Sequence, residues 1–194
     1  DVGKTTICML YAVPAVQRGQ KVAVINREAR WNPAYAERSG MGKPNKDYLL
    51  LYPESAEAAL ECIRSLAAHK LDLCILESIA ALAPMTEIMS DLPDANVGVL
   101  ARMMSKFFRD AVMEIAASNM AVIMTNQIRD KIGVMYGSPQ IAPGGKAKDF
   151  YSEVDIQLNT PEKREFSSVN GKEEHYEQIG TTISGYTKKS VGIN

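Results

Sequence analysis

Four short groups of residues carry side chains able to act together in one reaction. Gly3-Lys4-Thr5-Thr6 opens an apolar helical stretch and matches the second half of a Walker A loop. In such a loop, successive backbone N–H groups at a helix N-terminus cradle phosphate oxygens, the lysine reaches the β and γ oxygens, and the hydroxyl ligates Mg²⁺. The other three groups close apolar runs: Glu28 follows KVAVIN, Glu77 ends LCILE, and Asn126-Gln127 follow MAVIMT. One strand-end carboxylate can hold a magnesium shell, a second can serve as general base toward water, and an amide can touch a terminal phosphate. Each group alone has an ordinary reading, as a helix start, a solvated strand-end acid or a satisfied amide. Four of them in this order along one chain favour a phosphate-transfer site.

The elements that must position these groups alternate. Lys21–Asn26, Tyr48–Tyr52, Asp72–Ser78 and Met120–Thr125 are short branched runs that read as buried strands. Between them Thr5–Arg18, Pro33–Ser39, Ser55–His69 and Gly98–Ser118 read as helices. Ala56, Ala59, Leu60, Ile63 and Leu66 share one face of the third, while Val99, Leu100, Met103, Met104, Phe107, Phe108, Ala111, Val112 and Ile115 stripe the fourth. Alternating strand and helix predicts an α/β fold with a mostly parallel sheet covered on both faces. Beyond Phe150, Val154–Leu158 and Gln178–Thr187 read as antiparallel strands at a sheet edge. Met85–Val97 and the Gly- and Pro-rich stretch Gly133–Lys148 follow strands, where α/β folds place functional loops.

Composition excludes several classes. A chain of 194 residues with 46% hydrophobic and 23% charged residues can bury one domain-sized core and is neither disordered nor fibrous. The net charge of −1 requires any nucleic-acid contact to come from local patches. Cys8, Cys62 and Cys74 are odd in number and sit in apolar periodic segments, which fits buried thiols in a reducing, cytoplasmic setting. No apolar run is long enough to span a bilayer, so no membrane partner is expected. The chain opens at Asp1, inside the phosphate motif, and is expected to be a piece of a longer protein.

The order and wording of the segments resemble the RecA family of homologous-recombination ATPases, closest to the bacterial type. The matching stretches are Gly3–Thr6, Glu28–Tyr35, Ser78–Leu82, Ala101–Ser105, and Asn126–Arg129 through Lys131–Gly137 to Gly144-Gly145. The last is the most specific, since NQIRxKIGVMYG ending in GG is similar to this family's second DNA loop. The resemblance implies a RecA-like P-loop ATPase core spanning residues 1–194, using ATP and Mg²⁺, with the docking segment and C-terminal domain outside them. It implies that Gly3, Lys4, Thr5 and Thr6 bind the triphosphate, Thr5 and Glu77 serve the metal, Glu28 activates water, Gln127 senses the γ-phosphate, and Tyr35 and Asn32 meet adenine. Lys189 would reach a neighbour's nucleotide. DNA contacts would fall on Arg102, Arg109, Arg129, Lys131, Ile132, Met135, Gly144 and Gly145, with Lys146 and Lys148 adding local charge. The implied partners are single- and double-stranded DNA and further copies in a helical filament.

Departures from the family pattern are specific. Glu77 stands where the family has aspartate, and its extra methylene moves the carboxylate by about 1.5 Å. Asn26, Arg27 and Arg30 replace family residues beside Glu28, Asn32 replaces an aspartate, and the lysines at 188 and 189 are adjacent. The preferred reading is an ATP-dependent recombinase that assembles on single-stranded DNA and drives strand exchange. The alternative is a filament-forming DNA-binding protein with little turnover. A helicase or kinase core would explain the phosphate loop but not the loop ending in Gly144-Gly145.

Overall fold

The computed structural model describes residues 2–90, 98–130, 140–159, 162–170 and 173–190. They form two compact units, Ile7–Tyr151 and a second made of Asp1–Thr6 with Ser152–Asn194.

In the larger unit four strands, β1 (Val22–Asn26), β2 (Leu49–Leu51), β3 (Leu73–Glu77) and β4 (Ala121–Met124), pair in parallel in the order β2-β1-β3-β4. Every residue of β1 and β3 is buried, as apolar runs without alternation require. Strand periodicity divides the core in two. Val22, Val24, Leu73 and Ile75 face Cys8, Met9, Ala12 and Ala15 of helix α1 (Lys4–Gln17). Ala23, Ile25, Cys74 and Leu76 face the opposite layer, helices α3 (Ala56–Ala68) and α5 (Val99–Ser118). Burial pushes the Cys74 thiol up to about 12, so it stays neutral and packs as a small apolar group.

Local signals set the helix ends. Ser55 caps α3 by accepting from the Ala58 N–H at 3.2 Å. Asn32 does the same for the short helix α2 (Pro33–Arg38), with proline at its first position. Trp31, just before that cap, is buried and donates its indole N–H to the Tyr48 hydroxyl at 3.2 Å. The stripe on α5 buries Met104, Phe107 and Ala111, while Arg102, Lys106 and Arg109 lie on its exposed side. Met85–Ile88 is a single helical turn, α4. Of the expected first DNA loop, residues 91–97 lie outside the described residues.

Two tight spots close the second loop. Arg129–Asp130 (β5) and Gln140–Ile141 (β6) pair antiparallel, and the chain then turns through Gly144 and Gly145, both at positive φ. A Cβ on Gly144 would lie 2.8 Å from Ile79 Cγ2, and one on Gly145 would lie 2.8 Å from Ala101 Cβ. Gly145→Ala therefore combines a left-handed backbone with a clash against helix α5, together worth roughly 2–4 kcal/mol. Chemical denaturation should show a loss of that order.

Beyond helix α6 (Ala147–Tyr151), the second unit carries antiparallel strands, as expected. Strand β7 (Val154–Leu158) pairs with β10 (Gly185–Ser190), and β8 (Glu162–Asn170) pairs with β9 (Glu173–Thr182). The stretch Gln178–Thr187 is not one strand. It is broken at Ile183-Ser184, where Ser184 O accepts from the Asn159 N–H at 2.8 Å and ends the ladder. A bulge leaves Lys188 unpaired in register and sets Lys189 opposite Asp155. In the same unit Gly3 has φ 84, and a Cβ there would overlap Ile183 Cδ1, so only glycine fits immediately before α1. Among the described residues no helix is long and apolar enough to cross a membrane.

Candidate functional site

Lys4, Thr5 and Thr6 form the first turn of α1, directly after the left-handed Gly3. The first turn of any helix places its N–H groups outside the intrahelical ladder, the position at which an anion can be met.

The other chemical groups converge at the C-terminal ends of β1, β3 and β4. Strand ends are stitched there by Glu77 O, which accepts from the Arg27 N–H at 2.6 Å and the Glu28 N–H at 3.2 Å. Ile79 N and Thr125 O bond at 2.9 Å on the β4 side. The Glu77–Ser78 peptide within this seam is cis.

This seam fixes a three-residue cluster around Glu28. The Ser78 hydroxyl donates to Glu28 Oε2 at 2.9 Å. The Gln127 side-chain amide donates to Glu28 Oε1. Arg30 Nε lies 3.3 Å from the same oxygen. The Glu28 side chain is 13% exposed, so it is mostly enclosed by this cluster. Glu28 and Gln127, picked from the sequence as separate strand-end groups, are thus in direct contact.

Below this cluster lies a buried polar rung. Asn26 and Glu77 are register partners and share the face packed by α1, at 4% and 0% exposure. Asn26 Oδ1 is buried with no hydrogen-bond partner among the described residues. A buried carboxylate beside an orphaned amide oxygen is an all-oxygen donor set, the kind Mg²⁺ takes through its water shell. These residues therefore fit the metal that the sequence implies. Glu77 would orient the shell, and the bound ion would neutralise triphosphate charge.

Asn126 and Gln127 work back to back. Asn126 Oδ1 accepts from the Gln127 backbone N–H at 2.9 Å, and its Nδ2 donates to Pro143 O at 2.9 Å. The start of the second loop is thereby tied to its end, one residue before Gly144. Gly145 packs on Ala101, next to the exposed Arg102. Arg109, seven residues on, lies on the same exposed stripe.

Other sequence expectations meet different surroundings. The Asn32 side-chain oxygen accepts from the Tyr35 N–H at 3.0 Å, so it is engaged as a helix cap, while the Tyr35 ring is 43% exposed. Lys148 does not add charge to the loop surface. Its ammonium donates to Gly145 O at 3.0 Å and pairs with Asp149 at 2.7 Å, leaving the side chain only 17% exposed. Lys131, Ile132 and Met135 lie outside the described residues, and of Arg129 the backbone strand is described. Lys189 sits in β10 as given above.

Three contacts were not foreseen: Ser78 on Glu28, Arg30 on Glu28, and Asn126 on Pro143. Ser78 had a usable signal, since a hydroxyl follows the strand-end acid on the strand beside the one that delivers Glu28.

The RecA N-terminal domain family model matches residues 1–185. Protein RecA of Thermus thermophilus is 38% identical over 157 residues, covering 80% of this chain and 46% of that protein. Protein RecA of Listeria welshimeri is 42% identical over 164 residues, covering 83% and 46%. The chain thus spans just under half the length of these curated relatives. Among solved structures, the RadB recombinase shares the fold, with a TM-score of 0.52 and 16% identity over 81% of this chain and 69% of that one. A family model covering almost all of the sequence, together with a parallel sheet whose strand ends gather Glu28, Glu77 and Gln127, leads to one assignment: the chain belongs to the RecA family.

Proposed function

We propose that this chain is the ATPase core of a recombinase that uses ATP and Mg²⁺ to assemble on single-stranded DNA and to pair it with homologous duplex. The observation that carries the reading is the Gln127–Glu28 hydrogen bond, which joins a strand-end base to the first residues of a DNA-binding loop. Glu28 takes the proton from a water whose oxygen attacks the γ-phosphorus. The bond from that phosphorus to the β–γ bridging oxygen breaks, and ADP and phosphate result. Lys4 would meet the β and γ oxygens, the Thr5 hydroxyl and the Glu77 carboxylate would each serve the metal, Gly3 and Thr6 would complete the cradle, and Tyr35 would meet the base.

Gln127 is the coupling element. Its amide bonds either to Glu28 or to the γ-phosphate, and its backbone is held by Asn126, which also holds the end of the loop at Pro143. A change of partner at Gln127 is passed to the loop by this short path. Arg102, Arg109, Arg129 and Lys131 contact DNA phosphates, Ile132 and Met135 lie against bases, and Gly144-Gly145 let the loop end sit tightly on α5. Lys189 reaches the nucleotide of a neighbouring copy in the filament.

The direct test is steady-state ATP hydrolysis by the full-length protein with and without single-stranded DNA. Strong stimulation supports the reading. Nucleotide-dependent DNA binding without turnover favours a filament protein with a weak ATPase, for which the fully engaged Glu28 carboxylate is the specific argument. For the DNA surface, neutralising Arg129 and Lys131 together should weaken binding of all sequences alike. It should also flatten the log–log salt slope by about 0.7 per lost phosphate contact. An unchanged slope would remove both cations from the interface.

A further inference from the structure

We infer that Glu57 is a positioning residue that fixes the start of the first DNA loop, an inference that rests on the DNA-binding reading above. The loop begins with the single turn α4, and that turn has little of its own to hold it. None of its residues is buried, and its N-cap, Pro84, has no side-chain group to offer the first amide. That amide is taken by another helix. The Met85 N–H donates to Glu57 Oε2 at 3.0 Å and to Oε1 at 3.2 Å, across 28 residues of sequence.

The anchor itself stands on fixed ground. Glu57 lies in the first turn of α3, beside the buried Ser55 and Ala56. The Ala56 N–H donates to Ala83 O at 2.8 Å, and Pro53 O accepts from Nη1 of Arg27, the residue before Glu28. Pro84 is buried, so packing holds the chain up to that point and the Glu57 carboxylate holds it at the next residue. From there Met85, Ile88 and Met89, at positions i, i+3 and i+4, present one exposed apolar face. A face that is already oriented loses less conformational freedom when bases lie against it. An acid in the first turn also suits the dipole of α3, and the two roles separate on reach and charge. Aspartate keeps the charge and gives up about 1.5 Å of reach, whereas glutamine keeps the reach and an acceptor oxygen and gives up the charge.

The test compares full-length wild type with Glu57→Ala, Glu57→Asp, Glu57→Gln and Ser55→Ala. Deuterium uptake by residues 83–90 without DNA or nucleotide reads the contact, and equilibrium binding of labelled single-stranded polythymidine reads its use. Alanine and aspartate should raise the uptake and weaken DNA binding by about three- to tenfold, the range that one partly solvated hydrogen bond supports. Glutamine should stay within about twofold of wild type in both measurements. Ser55→Ala removes the cap of α3 and keeps the tie, so it should lower the melting temperature while leaving DNA affinity within about twofold. Unchanged uptake in Glu57→Ala and Glu57→Asp overturns the contact. Raised uptake with unchanged DNA affinity overturns the positioning role, and so does aspartate behaving as wild type while glutamine does not. A loss of affinity in Ser55→Ala equal to that in Glu57→Ala overturns it as well, by making the effect one of helix stability. Wild type that fails to bind single-stranded DNA, with uptake still rising in Glu57→Ala, would instead overturn the DNA-binding reading and leave the contact standing.

Discussion

Glu28→Gln should slow ATP hydrolysis by about 10²- to 10⁴-fold while leaving nucleotide affinity and nucleotide-dependent DNA binding near wild type. The local structure tolerates the change. Glutamine keeps the shape of the side chain, and the two neutral groups that hold it can adapt, while the exposed Arg30 ion pair is lost. The Ser78 hydroxyl donates or accepts by rotation, and the Gln127 amide can turn its oxygen toward the new N–H₂. What is lost is the negative oxygen able to take a proton from water. Single-turnover kinetics with prebound ATP isolates the chemical step, and equilibrium binding of a non-hydrolysable analogue checks the rest. A drop smaller than about tenfold would mean that another group serves as base.

Gln127→Ala should abolish the stimulation of hydrolysis by single-stranded DNA, bringing the ratio of DNA-saturated to DNA-free kcat close to one. The hydrogen bond that it removes has an ionised acceptor and is worth about 1.5–3 kcal/mol, enough for roughly 10- to 100-fold of coupling. ATP affinity should change little, because Lys4 and the first turn of α1 carry phosphate binding in the proposed site. The Asn126–Pro143 bond remains in this variant, so the loop keeps its closure and loses only its link to the base. An unchanged ratio would show that coupling bypasses this residue.

Much of this arrangement was legible in the sequence. Strands β1 and β3 could be read because LCILE and KVAVIN are unbroken apolar runs whose first polar residue marks the sheet's edge. Helix α5 could be read because Met104, Phe107 and Ala111 recur at helical spacing. Glu28 and Gln127 could be picked from their places at strand ends, yet their contact crosses 99 residues and depends on strand order, which no local pattern encodes. Strand β8 escaped notice for a related reason. Its residues, EKREFSSVN, do not alternate apolar with polar in sequence, and the strand is defined by its pairing to β9. Lys148 misled because charge is visible in a sequence but the acceptors that turn it inward, Gly145 O and Asp149, depend on a glycine turn. Ser78 was seen within a matching segment, but its hydroxyl acquires a role only when β1 and β3 stand side by side.

Trp31 gives the molecule an optical property of its own. It is the only indole in these 194 residues, it is 3% exposed, and it adjoins Arg30 on one side and the Asn32 cap of the Tyr35 helix on the other. Burial pushes its partner, the Tyr48 hydroxyl, above the ordinary tyrosine range, so the phenol stays neutral well beyond physiological pH and the indole hydrogen bond with it. Titration of this phenol therefore leaves the indole undisturbed across the neutral range. A change in its emission on adding nucleotide would follow movement of the turn between Glu28 and the helix that carries Tyr35, in unlabelled protein and in real time.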